Sequence, residues 1–434
     1  MSKFKRYERY KDSGVEWIGE IPEHWEIKKI KYISNITMGQ SPKSEECSLD
    51  ETGLPFLQGN AEFTSLHPIP KIYCNTANKF SKVNDILLSV RAPVGAMNIS
   101  DRVYGIGRGL CAITANKVQV RYLWYSMNVS LEELFIKSKG STFEAVTVTD
   151  VNNLLSILPP KNEQIAIANF LDQKTAEIDG LIADKEKLIE LLQEKRQAII
   201  TEAVTKGLNP NVRMKDSGIE WIGEIPEHWE VVKIKLLLKV KDGTHDTPDF
   251  VDKGEGTVPL ITSKNIIDGE IDFLNAKHIS REDYININRR SDVGKNDIIM
   301  PMIGTIGNPV IVKTDKEFSI KNVALFKTSY NELLAKFIYY TLQSNLIKIQ
   351  FDLLNRGGVQ AFVSLDVLRN LLVIKMPSTE LKEIVLYLEN KTQEIDSLIL
   401  SIRVGINKLK EYRQSLISEA VTGKIDVRDY VVSN

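Results

Sequence analysis

The chain has 434 residues, of which 43% are hydrophobic and 26% charged, and its formal net charge is −1. This length predicts two or more domains, and the composition excludes the disordered and fibrous classes of protein. No apolar stretch reaches the roughly 18 residues of a membrane span, and the first residues lack the apolar core of a signal peptide, so we expect a cytoplasmic protein. The three scattered cysteines predict neither a disulfide framework nor a zinc site.

The first recognisable element occurs twice in the chain. Residues 11–31 read KDSGVEWIGEIPEHWEIKKIK, and residues 215–235 read KDSGIEWIGEIPEHWEVVKIK. A second repeat lies further along each half, where KTAEID at 174–179 matches KTQEID at 391–396. Repeats of this length indicate that each half of the chain is one copy of the same module.

The inserts that follow these segments diverge strongly and keep only short echoes, such as NDIL at 84–87 and NDII at 296–299. A duplicated enzyme would keep its polar site residues in both copies, or lose them in one, and we find no such set. The pattern favours one scaffold that carries two different binding modules. Each insert reads as a mixed α and β globule, with strands predicted at 85–90, 297–302 and 310–312 and helices near 120–135 and 335–349.

Residues 161–206 have a helical pattern, with Pro159 and Pro160 before it and Gly207 just after it. Its heptad positions, and those of the matching second helix, predict a coiled coil formed by the two helices within the chain. The alternative is that each helix covers the core of its own domain. The predicted seam comprises Ile178, Leu181, Lys185, Leu188, Leu192, Lys195 and Ile199, with Ile395, Leu398, Ile402, Gly405, Leu409, Tyr412 and Leu416.

Most sequence motifs of enzymes are absent: there is no GxxxxGK[ST], HExxH or GxSxG, and no Asn-Pro-Pro-aromatic motif of amino-group methyltransferases. The glycine-rich stretch at 105–109 lacks the surroundings of a phosphate loop, which argues against nucleotide binding. The histidines lack metal-ligand spacing. His24 and His228 repeat, but within PEHWE beside Trp25 and Trp229, which favours a packing role.

Polar residues beside glycine, at matching places in the two inserts, are the positive signal. Such side chains read base edges or grip phosphates in nucleic-acid complexes. For any single cluster, the alternative is a solvated loop that binds nothing. The candidate DNA contacts are Ser41, Lys43, Gln58, Asn60, Arg91, Arg108, Lys139, Thr142, Thr244, His245, Thr247, Ser263, Lys264, Asn265, Lys321, Arg356 and Gln360.

Along nearly its whole length the chain resembles the DNA-specificity subunit of Type I restriction-modification enzymes. The resemblance rests on the twofold arrangement, on WIGEIPEHWE in each half, and on NDILLSVRAPVG and IGRGLCAI in the first insert. It also rests on DGTHDTP and ITSKNIIDGEIDF in the second insert, and on the helix strings LPPKNEQIAIANFLDQKTAEID and RQAIITEAVTKG.

The resemblance implies an α+β fold with two target recognition domains, 1–158 and 207–376. Two long helices, 159–206 and 377–424, would separate them as an antiparallel coiled coil, before a tail at 425–434. Each recognition domain would read one half of a split sequence in double-stranded DNA. The first long helix carries the string NEQ at 162–164, and residues 380–386 of the second lack it. This difference puts equal docking of a partner on both helices in question.

The same resemblance implies a chain without catalytic or metal site and without a cofactor of its own. Two modification subunits would dock on the helices, and restriction subunits would join them. S-adenosylmethionine, ATP and magnesium are expected on those partners. The alternative function is a repeat-built protein-interaction adaptor that does not bind DNA. A fused nuclease or methylase would need motifs that the sequence lacks.

Overall fold

A computed structural model of the protein describes residues 4–42, 47–51, 53–137, 146–267, 269–303, 307–328, 330–354 and 362–430. The chain forms two compact units. Unit 1 comprises Met1–Asp184 and Val404–Asn434, and unit 2 comprises Lys185–Arg403. Each unit therefore contains one globule and a part of both long helices. The division into five consecutive segments stays a prediction. The two compact units are grouped by spatial contact, and each of them combines parts of several of these segments.

In the described part of the chain, the globule of unit 1 contains two four-stranded sheets, the two-stranded sheets β1-β2 and β12-β3, and two helices. One four-stranded sheet has the order β4-β11-β8-β9 and the other β10-β6-β7-β5, with β10 and β6 parallel. Its strands are β1 (Tyr10–Asp12), β2 (Glu20–Pro22), β3 (Glu26–Lys29), β4 (Ser34–Met38), β5 (Cys47–Ser48), β6 (Leu54–Leu57), β7 (Ile72–Cys74), β8 (Ile86–Ser89), β9 (Met97–Ile99), β10 (Gly105–Ile106), β11 (Leu110–Ala115) and β12 (Leu155–Leu158), and its helices are α1 (Val120–Lys137) and α2 (Val148–Asn153), before the long α3 (Lys161–Lys206).

The globule of unit 2 repeats this order of strands. Its sheets run β16-β25-β22-β23 and β24-β18-β21-β17, with β24 and β18 parallel. Its strands are β13 (Met214–Asp216), β14 (Glu224–Pro226), β15 (Glu230–Lys233), β16 (Lys239–Asp242), β17 (Phe250–Val251), β18 (Val258–Ile261), β19 (Ile266–Ile267), β20 (Glu270–Ile271), β21 (Lys277–Ile279), β22 (Ile298–Pro301), β23 (Val310–Ile311), β24 (Ser319–Ile320), β25 (Val323–Lys327) and β26 (Leu372–Lys375), and its helices are α4 (Arg281–Asn288), α5 (Glu332–Gln343), α6 (Asn345–Leu354), α7 (Leu365–Asn370) and the long α8 (Ser378–Val421).

The sequence echoes mark the same structural positions in both globules. Asn84 and Asn296 each adopt a positive φ, 68° and 66°, in the turn before the central strands β8 and β22. Asparagine tolerates this left-handed conformation better than most residues, which explains why it recurs there. The helix predicted over 335–349 is wrong in one respect, because buried Ser344 interrupts it and separates α5 from α6.

The repeated PEHWE segment clamps the first turn of a long helix. In unit 1, Glu163 of α3 accepts hydrogen bonds from Trp25 Nε1 at 2.9 Å and lies 2.7 Å from His24 Nε2. In unit 2, Glu380 of α8 accepts from Trp229 Nε1 at 3.1 Å and lies 2.7 Å from His228 Nε2. A carboxylate near a helix N-terminus is also favoured by the helix dipole. The two histidines thus have a structural role, but through contact with a carboxylate and not by apolar packing, and their side chains are 44% exposed.

Each of these tryptophans also contacts the glycine that ends the other long helix. A Cβ on Gly207, which has φ +77°, would lie 3.1 Å from the Trp229 ring, and a Cβ on Gly423, with φ +71°, 3.0 Å from the Trp25 ring. Glycine at a helix C-terminus takes this left-handed conformation without strain. The start of one helix and the end of the other are therefore fixed to the same tryptophan in each unit.

The clamp of unit 1 is more enclosed than that of unit 2. Tyr7 donates a third hydrogen bond to Glu163 at 3.1 Å, and the Arg428 guanidinium lies 4.9 Å from the centre of the Tyr7 ring. The Glu163 side chain is 6% exposed, whereas that of Glu380 is 35% exposed. Burial, with the Glu163 carboxylate beside it, raises the pKa of Tyr7 far above its ordinary value.

The two long helices pack together in antiparallel directions within each unit. An arginine and an aspartate join them in both units: Arg413 Nε lies 2.9 Å from Asp179 in unit 1, and Arg196 Nε lies 3.0 Å from Asp396 in unit 2. Helix α3 occupies 161–206, as its proline and glycine boundaries predicted. The predicted pairing of the helices is confirmed.

Five of the fourteen residues of the predicted seam are exposed, and the prediction is wrong at these five. Leu181, Leu398 and Tyr412 are 51%, 54% and 51% exposed, and Leu188 and Lys195 are exposed as well. The residues one place further along face inward instead, because the heptad steps run four then three from Ile178 and not three then four. The buried or half-buried positions are Ile178, Ile182, Lys185, Ile189, Leu192, Arg196 and Ile199 on α3, and Ile395, Ile399, Ile402, Ile406, Leu409, Arg413 and Leu416 on α8.

Within the part of the chain that the structure describes, no helix is both long enough and apolar enough to cross a membrane.

Candidate nucleic-acid interface

Three loops of unit 1 meet at the ends of neighbouring strands: 39–41 after β4, 58–60 after β6, and 107–109 between β10 and β11. Main-chain hydrogen bonds join them, from Gln40 N to Ile106 O at 2.9 Å and from Gly107 N to Leu57 O at 2.8 Å. A Cβ on Gly39 would lie 2.1 Å from the Gly107 carbonyl oxygen, so only glycine permits this approach. The glycine at position 39 therefore lets the first and third loops come together.

Predicted contact residues of unit 1 gather on this loop cluster. Ser41 Oγ accepts a hydrogen bond from Arg108 N at 3.2 Å, and Gln58 and Asn60 extend from the second loop, exposed and half-buried. Arg91 joins them, because Val90 N donates to Gly109 O at 2.9 Å and so ties the segment after β8 to the third loop. Lys43, Lys139 and Thr142 were also predicted and lie outside the described residues.

Arg91 and Arg108 are both exposed, and neither side chain forms an ion pair with any residue that the structure describes. A guanidinium group has five donors and can bind a phosphate or the edge of a guanine through two of them at once. Together with the amides of Gln58 and Asn60, the cluster presents cations, donors and acceptors on one edge of the globule. This composition suits a nucleic-acid surface.

Unit 2 has the same three loops at the same strand ends. Thr244 N donates to Ile320 O at 3.0 Å, and Lys321 N donates to Ile261 O at 2.9 Å. A Cβ on Gly243 would lie 2.1 Å from the Ile320 carbonyl oxygen, as the one on Gly39 would from its own partner loop. The shared frame holds different polar side chains in the two units.

The predicted residues of unit 2 fall into four groups. Lys264 and His245 are exposed on the loops, and half-buried Lys321 donates from Nζ to the Oγ1 of exposed Thr247. Asn265 has an internal role, since it is buried and its Oδ1 accepts from Thr262 N at 3.1 Å, so its side chain is committed to the protein. Thr244 and Ser263 are half-buried in the same loops. Arg356 and Gln360 lie outside the described residues.

His245 lies at the centre of a charged cluster in unit 2. Its Nε2 is 2.9 Å from Asp242 Oδ2, and its Nδ1 is 3.0 Å from Asn322 Oδ1. The hydrogen bond to Asn322, and then that to Asp242, raises the pKa of His245 above its ordinary value. Arg290 binds the other oxygen of buried Asp242 at 2.8 Å. The sequence did not identify Arg290. This residue follows helix α4, and no local pattern of residues connects it with Asp242 at the end of β16.

Among the described residues, no group of three or more histidine, cysteine, aspartate or glutamate side chains could hold a metal ion. The polar groups of the two clusters are spread over loops and do not converge on one reacting atom. The arrangement can grip and read an extended polar ligand.

The comparisons with known proteins agree with this geometry. The model of the Type I restriction modification DNA specificity domain matches residues 22–191 and again 226–403. The MjaVIII specificity subunit of Methanocaldococcus jannaschii, a type I restriction enzyme subunit, is 28% identical over 94% of this chain and 95% of its own. The EcoBI specificity subunit of Escherichia coli is 23% identical over 95% of this chain and 89% of its own.

Another relative matches only part of the chain. The putative MjaX specificity subunit of Methanocaldococcus jannaschii is 39% identical, over 43% of this chain and 44% of its own length. A solved structure described as the basis of complex assembly and conformational transition of the type I R-M system shares the fold, with a TM-score of 0.67 at 15% identity, over 92% of this chain and 98% of its own. The chain thus belongs to the family of Type I restriction-modification DNA specificity subunits, with the family's domain present twice.

Proposed function

We propose that the chain is the non-catalytic, DNA-reading subunit of a Type I restriction-modification complex, and that each globule reads one half of a bipartite target in double-stranded DNA. One observation carries the proposal: two units hold matching clusters of loops, fixed by Gly39 and Gly243 at the same strand ends, with different polar side chains on them. A common frame with different side chains is what two readers of different sequences require. The two halves of the target therefore differ.

Electrostatics supports DNA as the ligand although the whole chain is nearly neutral. Arg91 and Arg108 in unit 1 and Lys264 in unit 2 are exposed cations on the loop clusters. Cations at such positions neutralise phosphates and release counterions, so affinity falls as the salt concentration rises. The net charge of a chain does not decide this, because a local cluster sets the field at the surface.

The exposed apolar residues of the helices are proposed to receive two modification subunits. Unit 1 exposes Leu181 and Tyr412, and unit 2 exposes Leu188, Leu398 and Leu400. Large exposed side chains on a helix commonly mark an interface with another protein. One such patch in each unit gives two docking sites.

The two long helices that carry these docking sites differ in their first turns. In unit 1, Gln164 beside Glu163 accepts from Gln119 N at 2.8 Å and donates to Pro159 O at 2.8 Å. Leu381 stands at the matching place in unit 2 and cannot make either bond. Unequal affinity for the two modification subunits is the expected consequence.

The partners supply the chemistry in this proposal. S-adenosylmethionine belongs to the modification subunits, and ATP and magnesium to the subunits that complete the complex, the restriction subunits among them. The chain itself needs no cofactor to read DNA. A subunit with this role works where the genomic DNA is, which we expect to be the cytoplasm.

The test is methylation mapping of DNA from cells that express the chain with its modification subunits. A bipartite motif is expected, and replacing residues 32–157 by the insert of another family member should change only one half of it. A change in both halves would overturn the modular assignment. A complex that assembles yet shows no salt-dependent binding to duplex DNA would favour the adaptor function instead.

A further inference from the structure

The starting point is the hydrogen bonding of His245 in unit 2. Its Nε2 faces the Asp242 carboxylate at 2.9 Å, and its Nδ1 faces the side-chain oxygen of Asn322 at 3.0 Å. With the Asn322 oxygen facing Nδ1, both partners are acceptors, and both ring nitrogens have to donate. An imidazole donates from both nitrogens only when it is protonated, so this orientation of the Asn322 amide is the one that suits the imidazolium cation.

The charged groups around the ring support this state. Asp242 is buried, and its other carboxylate oxygen accepts a hydrogen bond from Arg290 at 2.8 Å. Lys321 lies across the loop on Thr247, and Asp246 is the next residue in the chain. The hydrogen bonds to Asn322 and Asp242 favour the protonated ring, whereas partial burial and then Arg290 oppose it, and the net effect raises the pKa of His245.

Asn322 is held in place at both backbone and side chain. Its φ is 53°, and its backbone N donates to Thr244 O at 3.1 Å. Its Oδ1 is engaged by His245, and its Nδ2 has no acceptor among the residues that the structure describes. The Asn322 amide thus has a donor that none of the described residues uses, on a side chain that is half-buried.

The matching place in unit 1 is occupied by Arg108. Arg108 lies two residues after Ile106, which pairs with Leu57, and Asn322 lies two residues after Ile320, which pairs with Ile261. The partner loops match as well: Ser41, two residues after Gly39, accepts from the Arg108 backbone N, and His245, two residues after Gly243, faces the Asn322 side chain. The two units therefore place an arginine and an asparagine at one equivalent position.

We propose, on the basis of the proposed function, that positions 108 and 322 are matched base-reading positions and that His245 sets the orientation of the Asn322 amide. Arginine pairs with the O6 and N7 of guanine, and asparagine with the N6 and N7 of adenine. In this orientation Asn322 Nδ2 donates to a purine N7, and the second lone pair of Oδ1 accepts from adenine N6. Arg108 reads guanine in the other half-site.

The state of His245 decides what Asn322 presents. When the ring loses a proton it keeps the one that faces Asp242, and the lone pair on Nδ1 then faces Asn322 Oδ1. The amide turns over to donate to Nδ1, and its oxygen becomes the group that faces the DNA. The cation exists below the pKa of His245 and disappears as the pH rises through it, so recognition at this base pair weakens at high pH.

The first experiment maps methylated motifs made by the full complex with Asn322→Gly, in which glycine keeps the positive φ. We expect roughly tenfold or greater loss of discrimination at one base pair of one half-site, with the other half-site read as before. Arg108→Ala, the matched control, should relax one position of the opposite half. An unchanged motif in Asn322→Gly would overturn the inference, whereas a wild-type complex without any bipartite motif would overturn the proposed function.

The second experiment tests the positioning role of His245. Binding of the full complex to its mapped duplex, and to a duplex changed at the Asn322 position, is measured by fluorescence anisotropy from about pH 6 to about pH 9. For the wild type, the ratio of affinities for the mapped and the changed duplex should fall about tenfold as the pH rises. For His245→Gln this ratio should not change with pH, because an amide does not titrate in this range. A wild-type ratio that is independent of pH, or the same pH dependence in His245→Gln, would contradict the positioning role.

Discussion

The enclosed clamp of unit 1 predicts a large effect for a change that removes one charge. In Glu163→Gln, one carboxylate oxygen becomes an amide nitrogen, yet every partner around it is a donor: Trp25 Nε1, Tyr7 Oη and the ring of His24. A hydrogen bond to a charged group contributes about 1.5–3 kcal/mol, and a buried donor that faces another donor adds a further cost. We expect Glu163→Gln to lower the free energy of unfolding of unit 1 by about 2–4 kcal/mol.

The matched control is Glu380→Gln in unit 2. Glu380 has two of these partners, His228 and Trp229, and its side chain is 35% exposed. Water can satisfy the new amide there, so we expect a loss of about 1 kcal/mol. The comparison separates the effect of enclosure from that of the charge itself.

The measurement needs spatial resolution, because a chain of two compact units need not unfold in a single step. Hydrogen exchange of the full chain, read in the first turns of α3 and α8, reports the two clamps separately. Urea unfolding followed by tryptophan fluorescence supplies the free energies. Equal losses in the two variants, or no loss in Glu163→Gln, would refute the claim that the third donor and the burial strengthen the clamp of unit 1.

The other predictions concern the helix seam and the loops. Ile182→Ala should lower the free energy of unfolding by about 2–4 kcal/mol, and Leu181→Ala by less than about 0.5 kcal/mol. Urea denaturation measures both, and a larger loss in Leu181→Ala would support the seam predicted from the sequence. Gly39→Ala should destabilise unit 1 by about 1–3 kcal/mol by forcing a Cβ against the Gly107 carbonyl, and it should weaken reading of one half-site only, as methylation mapping would reveal. Arg91→Ala should weaken binding to all sequences alike if Arg91 grips a phosphate, or relax one base by roughly 1–3 kcal/mol if it reads a base edge; affinity and motif both unchanged would remove Arg91 from the interface.

The duplication and the outline of the elements were predictable from the sequence because their signals are local. Pro160 and Gly207 bound α3 through their own backbone preferences, which need no tertiary contact. The recurrence of Asn84 and Asn296 marks a turn that each residue adopts by itself. The family resemblance rests on the same kind of contiguous strings.

The candidate site was predictable in part. Glycine beside polar residues identified the loops, and in the described part of the chain these loops do converge in each unit. The burial of Asn265 and the link from Arg290 to Asp242 were not predictable. Whether a polar side chain faces solvent or caps its own loop depends on neighbours distant in sequence.

The sequence by itself determined that the chain is a repeated module with two different inserts and two long helices that pair. Only the tertiary structure decided which side of each helix forms the seam, because steps of three then four and of four then three fit the same heptad from Ile178. Only the tertiary structure decided, too, that Asn322 faces His245 and matches Arg108. Such contacts form where strands that are distant in sequence end side by side. The pairing of distant strands cannot be predicted from the local pattern of residues.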